Sequence, residues 1–189
     1  MKSTRRIVFE TERLEIRLAR LQDADHFNRL WTNPRVMLQV GFPNGLKITL
    51  QEIQERLAGA GESEFEHLLV VDLKSTGCSI GEAWMTSPDS ERISLTDIKL
   101  LPEVWGKRYG IEIKRGLLDY LFTHTNCLAV DASPNVNNPA SIKMQEAVGG
   151  IRIREETYTF PDSLQAYTTP VHCYIYRVDR LTWLAGKHS

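Results

Sequence analysis

Apolar and polar positions change period several times along this chain, and those changes divide it into strands and helices. Leu14 to Ala19 alternates and reads as a strand. From Gln22 to Thr32 the residues Ala24, Phe27, Leu30 and Trp31 recur at helical spacing, which predicts a helix with those four turned inward. Residues 33–47 read as a loop punctuated by Pro34, Gly41, Pro43 and Gly45, although Val36, Met37, Leu38, Val40 and Phe42 give it apolar content. Leu50 to Ala58 predicts a second helix, N-capped by Thr49 and closed around Gly59 to Gly61. Leu68 to Leu73, Ser79 to Met85 and Ile93 to Leu101 predict three further strands. Ile113, Leu117, Leu118, Leu121 and Phe122 mark a major helix over about 107–123. A strand from Cys127 to Ala132 then leads through an Asn/Pro turn into a short helix, with Asn138 as N-cap, Pro139 in its first turn, and Gly149 and Gly150 as its stop. Ile151 to Phe160 and His172 to Asp179 predict a last strand pair around a 161–170 loop. Strands before and after two central helices predict a mixed sheet.

The junction Ile98 to Glu112 carries the first chemical signal. A strand enters a short basic loop with two glycines, and the loop opens the major helix. The first N–H groups of a helix lack intrahelical acceptors, and the helix dipole adds positive potential there. Such a nest suits a phosphate or pyrophosphate. Gly106 and Gly110 let the backbone approach a ligand closely, and Lys107 and Arg108 add full charges. The spacing fits neither the P-loop pattern nor the dinucleotide-binding pattern.

Two segments together resemble the GNAT acyltransferase superfamily, and within it the Rim-type branch that includes ribosomal-protein N-acetyltransferases. Pro102, Glu103, Trp105, Gly106, Lys107, Tyr109 and Gly110 match the sequence that precedes the acetyl-CoA-binding helix of that branch. Asn138, Ala140, Ser141 and Gly149 match a second motif, and Thr11 to Arg17 looks like the branch's first strand. The resemblance spans roughly residues 10 to 180. It implies one domain with an α/β fold: a mixed, mostly antiparallel sheet of about seven strands flanked by about four helices. Two positions depart from it. Arg108 stands where the family has its central glycine, and Gly150 replaces the usual aromatic residue after the short helix. If the first position needs positive φ, arginine costs about 1–2 kcal/mol there.

The resemblance also implies the chemistry: acetyl transfer from acetyl-CoA to an amine by direct attack. The backbone of Gly106, Lys107, Arg108, Tyr109, Gly110 and Ile111 would hold the cofactor's phosphates. Ile98 and Leu100 would hold the pantetheine arm and polarise the acetyl carbonyl, an oxyanion-type effect. Asn138 would bond the pantetheine amides, and Lys107 or Lys143 would meet the 3′-phosphate. Glu103, Asp97 and Glu82 are candidate bases. Strand alternation sets Asp97 with Leu95 and Lys99, opposite Ile98 and Leu100. Ser141 is the candidate proton donor or thiolate partner, because Gln145 stands where many relatives have a tyrosine. An α-amine, with a pKa of about 7.7–8.0, needs only a weak base, whereas a lysine amine at about 10.4 needs a strong one. The Rim-type resemblance implies a peptide or protein N-terminus as the leading acceptor. A small amine (aminoglycoside, polyamine or amino acid) is the alternative, and a non-catalytic acyl-CoA-binding module is a reading of another class. The 33–47 segment, and more weakly Tyr158, Tyr167 and the 161–170 loop, are candidates for the acceptor side.

Composition narrows the partners. With 189 residues and a formal net charge of −1, the chain gives no electrostatic case for nucleic acid. No apolar run approaches the ~18 residues of a membrane span, and the N-terminus has no apolar run of the secretory type. Arg5, Arg6, Lys187 and His188 read as solvated ends. Cys78, Cys127 and Cys173 are isolated and odd in number, which points to a reducing cytoplasm rather than disulfides or zinc. The five histidines form no ligand spacing, so no metal is expected. Pairing of two copies through the final strands is left open.

Overall fold

The structure, a computed structural model, describes residues 5–59, 61 and 63–186. Its frame is one sheet of β1 (Ile7–Glu10), β2 (Leu14–Leu18), β3 (Leu69–Leu73), β4 (Ser79–Met85), β5 (Ile93–Leu100), β6 (Ala129–Ala132), β7 (Ile151–Tyr158) and β8 (Val171–Asp179). The spatial order is β1-β2-β3-β4-β5-β6-β8-β7. Every neighbouring pair is antiparallel except β5 and β6. The helices are α1 (Ala24–Trp31), α2 (Pro34–Met37), α3 (Leu50–Ala58), α4 (Tyr109–His124), α5 (Pro139–Glu146), α6 (Asp162–Gln165) and α7 (Arg180–Gly186).

Strand alternation divides the core. Leu14, Ile16, Leu69 and Val71 pack with Ile113, Leu117, Leu118, Leu121 and Phe122 of α4. Val70, one residue out of phase with Val71, belongs to a second core with Phe27, Leu30 and Trp31 of α1 and Ile53 and Leu57 of α3. On that second side Arg17 lies buried between two carboxylates. Its Nε donates to Asp72 at 2.7 Å, and its two terminal nitrogens donate to Asp23 at 2.7 and 2.8 Å. Asp23 immediately precedes α1, so this fork ties α1 to β2 and β3.

Five sequence expectations are corrected. Among the described residues there are eight strands rather than about seven, and seven helices rather than about four. The extra strand, β1, has only four residues, too few to show a period. Residues 33–47 contain α2, started by an Asn33 side chain that accepts from the Arg35 N–H at 2.9 Å. The major helix begins at Tyr109 rather than 107, because Gly106 (φ +78°) and Arg108 (φ +63°) are left-handed. The last strand continues into α7, whose Trp183 Nε1 donates to Asp119 at 2.7 Å. Arg5 and Arg6 are not free ends: Arg5 pairs with Asp72 at 2.9 Å and with Glu15, and Arg6 pairs with Glu64 at 2.9 Å. The end expected at Lys187 and His188 lies outside the described residues.

Candidate active site

The site arises where two parallel strands part. β5 and β6 are paired only from Ile93–Ala129 to Leu95–Asp131. Leu101 N–H donates to the Ile80 carbonyl and Thr86 N–H to the Leu95 carbonyl, so the odd-numbered residues of β5 aim their backbone groups at β4. The even-numbered Ile98 and Leu100 aim theirs at the other edge, which β6 has already left. The result is a cleft of about 800 Å³ lined by β5, the 104–111 loop, residues 133–144 and the far ends of β7 and β8. An adjoining chamber of about 400 Å³ shares Asp97, Ile98 and Ser141 with it and reaches Thr96 and Gln145.

One end of the cleft is built for anions. Among the described residues, no hydrogen bond uses the N–H groups of residues 106–111. Gly106 has open space where a Cβ would stand, whereas a Cβ on Gly110 would meet Met144 Sδ at 3.0 Å, so α4 and α5 touch there. Glu112 anchors the turn. It accepts from the Arg13 N–H at 2.8 Å, the Arg13 Nε at 2.6 Å and the Thr11 hydroxyl. The Arg13 guanidinium in turn lies 4.4 Å from the Tyr109 ring centroid. This set of unbonded donors fits a pyrophosphate, and Arg108 and Lys143 line both the cleft and a neighbouring surface hollow. The Lys107 side chain does not line the cleft, and its carbonyl accepts from Arg13 at 3.2 Å.

Arg108 does occupy the left-handed conformation, so its strain is present. Replacing it by glycine is expected to raise the stability of the free protein by about 0.5–1 kcal/mol, the relief of strain less the extra backbone entropy of glycine. The same change should weaken acetyl-CoA binding several-fold through the lost guanidinium. Thermal unfolding and equilibrium titration of one variant read both effects; tighter binding would contradict the phosphate contact.

The candidate catalytic residues separate. Asp97 lies in the cleft, and its Oδ1 accepts from the Ile98 N–H at 2.9 Å while it also pairs with Lys99. Burial alone would raise Asp97, but the charge and hydrogen bond of Lys99 hold it below the usual carboxylate range. Burial would likewise lower Lys99, but Asp97 and Glu82 hold it above its ordinary value. Glu82 is buried, accepting from Lys99 Nζ at 2.7 Å and Trp31 Nε1 at 2.6 Å. Glu103 is solvent-exposed, paired with Arg29 and outside the cleft lining. Ser141 faces both chambers. Its N–H donates to Asn138 Oδ1 at 3.1 Å, which occupies that side-chain oxygen as a helix cap and leaves the Asn138 amide nitrogen at the cleft. Leu100 C=O accepts from Trp105 Nε1 at 2.8 Å, so of the two β5 residues Ile98 presents the freer carbonyl.

The opposite mouth is formed by Arg35, Val36, Gln39 and Val40 against Tyr158, Phe160, Val171 and Cys173. Gly41 (φ +96°) joins the two walls. A Cβ there would meet the Phe160 ring at 2.5 Å, and its carbonyl accepts from the Thr169 N–H at 2.8 Å. Of the weaker candidates, Tyr158 is on the wall and Tyr167 packs with the α1–α3 core instead. Sequence reasoning passed over Thr96 and Lys114. The signal for Lys114 was available: it falls inside the apolar stripe of α4, three and four residues before Leu117 and Leu118.

The sheet thus parts at its one parallel pair, with the N-terminus of α4 and its unbonded N–H groups beneath the opening. The sequence model of the acetyltransferase (GNAT) domain matches residues 13–151, and the chain belongs to that family. It is an acetyl-CoA-dependent N-acetyltransferase. Among solved structures, a GNAT-family acetyltransferase from Bacillus anthracis superposes with a TM-score of 0.75 at 17% identity, covering 91% of this chain and 98% of the other. The spermidine N-acetyltransferase of Vibrio cholerae, in complex with CoA and spermine, gives 0.74 at 19% identity, with 91% and 98% covered. A Vibrio cholerae protein described as a ribosomal-protein-serine acetyltransferase gives 0.71 at 14% identity, with 90% and 95% covered. None of the curated proteins compared matches the sequence. Among the described residues no cluster of His, Cys, Asp or Glu could hold a metal ion, and no helix is long and apolar enough to cross a membrane.

Proposed function

We propose that this enzyme acetylates the α-amino group at the N-terminus of a protein or peptide. The carrying observation is the charge of the cleft. Its acidic residues are Asp97 and Glu156, against Arg35, Lys99, Arg108 and Lys143. A polycationic amine calls for an acid-rich pocket, whereas a peptide end carries one ammonium followed by uncharged backbone. The apolar wall from Val36, Val40 and Phe160 suits the latter. In this reading the N–H groups of residues 106–111 hold the pyrophosphate, Asn138 and the Ile98 and Leu100 backbones hold the pantetheine, and the Ile98 N–H polarises the acetyl carbonyl once Asp97 releases it. Asp97 then faces the arriving amine and takes up its proton. Ser141 hydrogen-bonds the sulfur. The exposed position of Glu103 gives no support to a role as base. A cytoplasmic setting agrees with three free cysteines.

The test is CoA release with a panel of free-amine peptides, the same peptides blocked at the N-terminus, spermidine and kanamycin. Turnover should require the free α-amine. Turnover confined to spermidine or kanamycin would sink the peptide reading. Ser141→Ala is expected to lower kcat by about tenfold with little change in the KM for the peptide.

A further inference from the structure

Lys114 is the most deeply buried charged side chain among the described residues, 1% exposed on the face of α4 that packs against β5. Its Nζ donates to Thr96 Oγ1 at 2.6 Å, and no salt bridge reaches it among the described residues. Thr96 is the first β5 residue beyond the last pair with β6, and its hydroxyl donates only a long bond, 3.4 Å, to the Asp131 carbonyl. Thr96 lines the inner chamber together with Ile98, Ser141 and Gln145, while Lys114, outside that lining, stands behind its hydroxyl. A threonine hydroxyl can rotate its hydrogen from the weak Asp131 bond toward the chamber and still accept from Lys114.

The departing thiolate needs a proton. The tyrosine that supplies it in many relatives is replaced by Gln145, and the Ser141 hydroxyl has no donor behind it among the described residues. We propose that Thr96 and Lys114 form the proton supply for the thiolate, Thr96 as the hydroxyl that meets the sulfur and Lys114 as the amine that recharges it. This rests on the acetyl-transfer reading of the cleft. The amine lone pair forms the C–N bond, and the C–S bond breaks with its electron pair going to sulfur. Sulfur takes the Thr96 proton, and Thr96 Oγ1 takes one from Lys114 Nζ. The proton shed by the amine nitrogen passes to Asp97 and then to solvent, and Lys114 recovers its proton from solvent between turnovers. The charged groups facing Lys114 are Asp97 on β5, already paired with Lys99, and Asp131 on β6, held by Arg177 of β8 at 2.8 and 2.9 Å. Burial pushes Lys114 down to about 7, and these carboxylates only partly oppose it. An acid of that strength exchanges protons readily at neutral pH.

Two readouts test the pair. The first needs no turnover: side-chain NMR titration of Lys114, assigned with Lys114→Met, with and without CoA. A midpoint near 7 in the free protein is expected. CoA should shift it upward, because a thiolate beside Thr96 favours the ammonium, and Thr96→Val should abolish the shift. An ordinary lysine midpoint, or no CoA shift in a protein whose melting point CoA does raise, overturns the proposal. The second is kcat against pH at saturating acetyl-CoA. Wild-type kcat should decline above about pH 7. Lys114→Met and Thr96→Val should both lower kcat at least about tenfold, remove that decline and leave the KM for acetyl-CoA unchanged, while Thr96→Ser restores most of the rate. Wild-type kcat and pH profile in both variants overturn it. A wild-type enzyme inactive on every peptide, with the CoA-linked Lys114 shift intact, would fault the acceptor reading and not this pair.

Discussion

Lys114→Met is expected to be more stable than the wild type at pH 6, by about 3 kcal/mol. The folded protein holds Lys114 near 7 against an ordinary 10.5, so keeping the buried ammonium below pH 7 costs roughly 4–5 kcal/mol. Methionine fills nearly the same volume without a charge, and leaving Thr96 without this partner costs about 1 kcal/mol. The sign in pH follows from proton binding. Between about pH 7 and 10.5 the unfolded chain keeps the proton that the folded chain has lost, so wild-type stability from this group rises with pH. The penalty is complete below pH 7 and gone above about 10.5, and the variant should lack that slope. Urea unfolding at pH 6 and pH 9.5 reads it: the gap between the two proteins should shrink or reverse at the higher pH. A variant that is less stable at pH 6 would mean that Lys114 is a structural tie. A residue that lowers stability while bonding the back of a cleft-lining threonine is the pattern expected of function held against folding.

Arg17→Met should act in the opposite direction and as strongly. Removing the guanidinium leaves Asp23 buried without its cation and Asp72 with only the half-exposed Arg5, a loss of roughly 3–5 kcal/mol. Burial alone would raise Asp23, but Arg17 and the Arg20 backbone hold it below the usual carboxylate range in the wild type. Its contribution is therefore present above the unfolded value of about 3.9 and is lost as pH falls through the lower folded value. In the variant the sign reverses, because an unpaired buried carboxylate prefers its proton. The stability gap should thus narrow toward pH 4, which thermal unfolding at pH 4 and pH 7 would show. Since Asp23 precedes α1 and Trp31 of α1 holds Glu82, the variant should also raise the KM for the acceptor more than that for acetyl-CoA. A constant gap across pH would exclude linkage through Asp23.

Much of the frame was legible because it depends on neighbours in sequence. Thr49 caps α3 through a reciprocal bond with Glu52, three residues on, and Asn138 caps α5 through Ser141 N–H, also three residues on. The inward set of α1 follows from helical spacing alone. What sequence reasoning missed lacked such signals: β1 is too short to show a period, and α7 follows β8 without a turn. The site was legible in its backbone part and less so in its side chains. Glu103, Asp97 and Glu82 were all candidate bases. Only the structure turns Glu103 outward to Arg29 and Asp97 into the cleft beside Ile98.

The sequence by itself determined where the chain extends and coils, that a basic, glycine-bearing loop opens the longest helix, and which family carries that combination. Those are properties of period, capping and backbone freedom within a few residues. The tertiary structure decided that Ile98 and Leu100 lose their strand partner, that Lys99 bridges Glu82 and Asp97, and that Lys114 stands behind Thr96 at the apex of the opening. Each depends on how separate elements meet: β5 and β6 pair for three residues and then part, the β4–β5 register sets Lys99 opposite Glu82, and α4 packs Lys114 against β5.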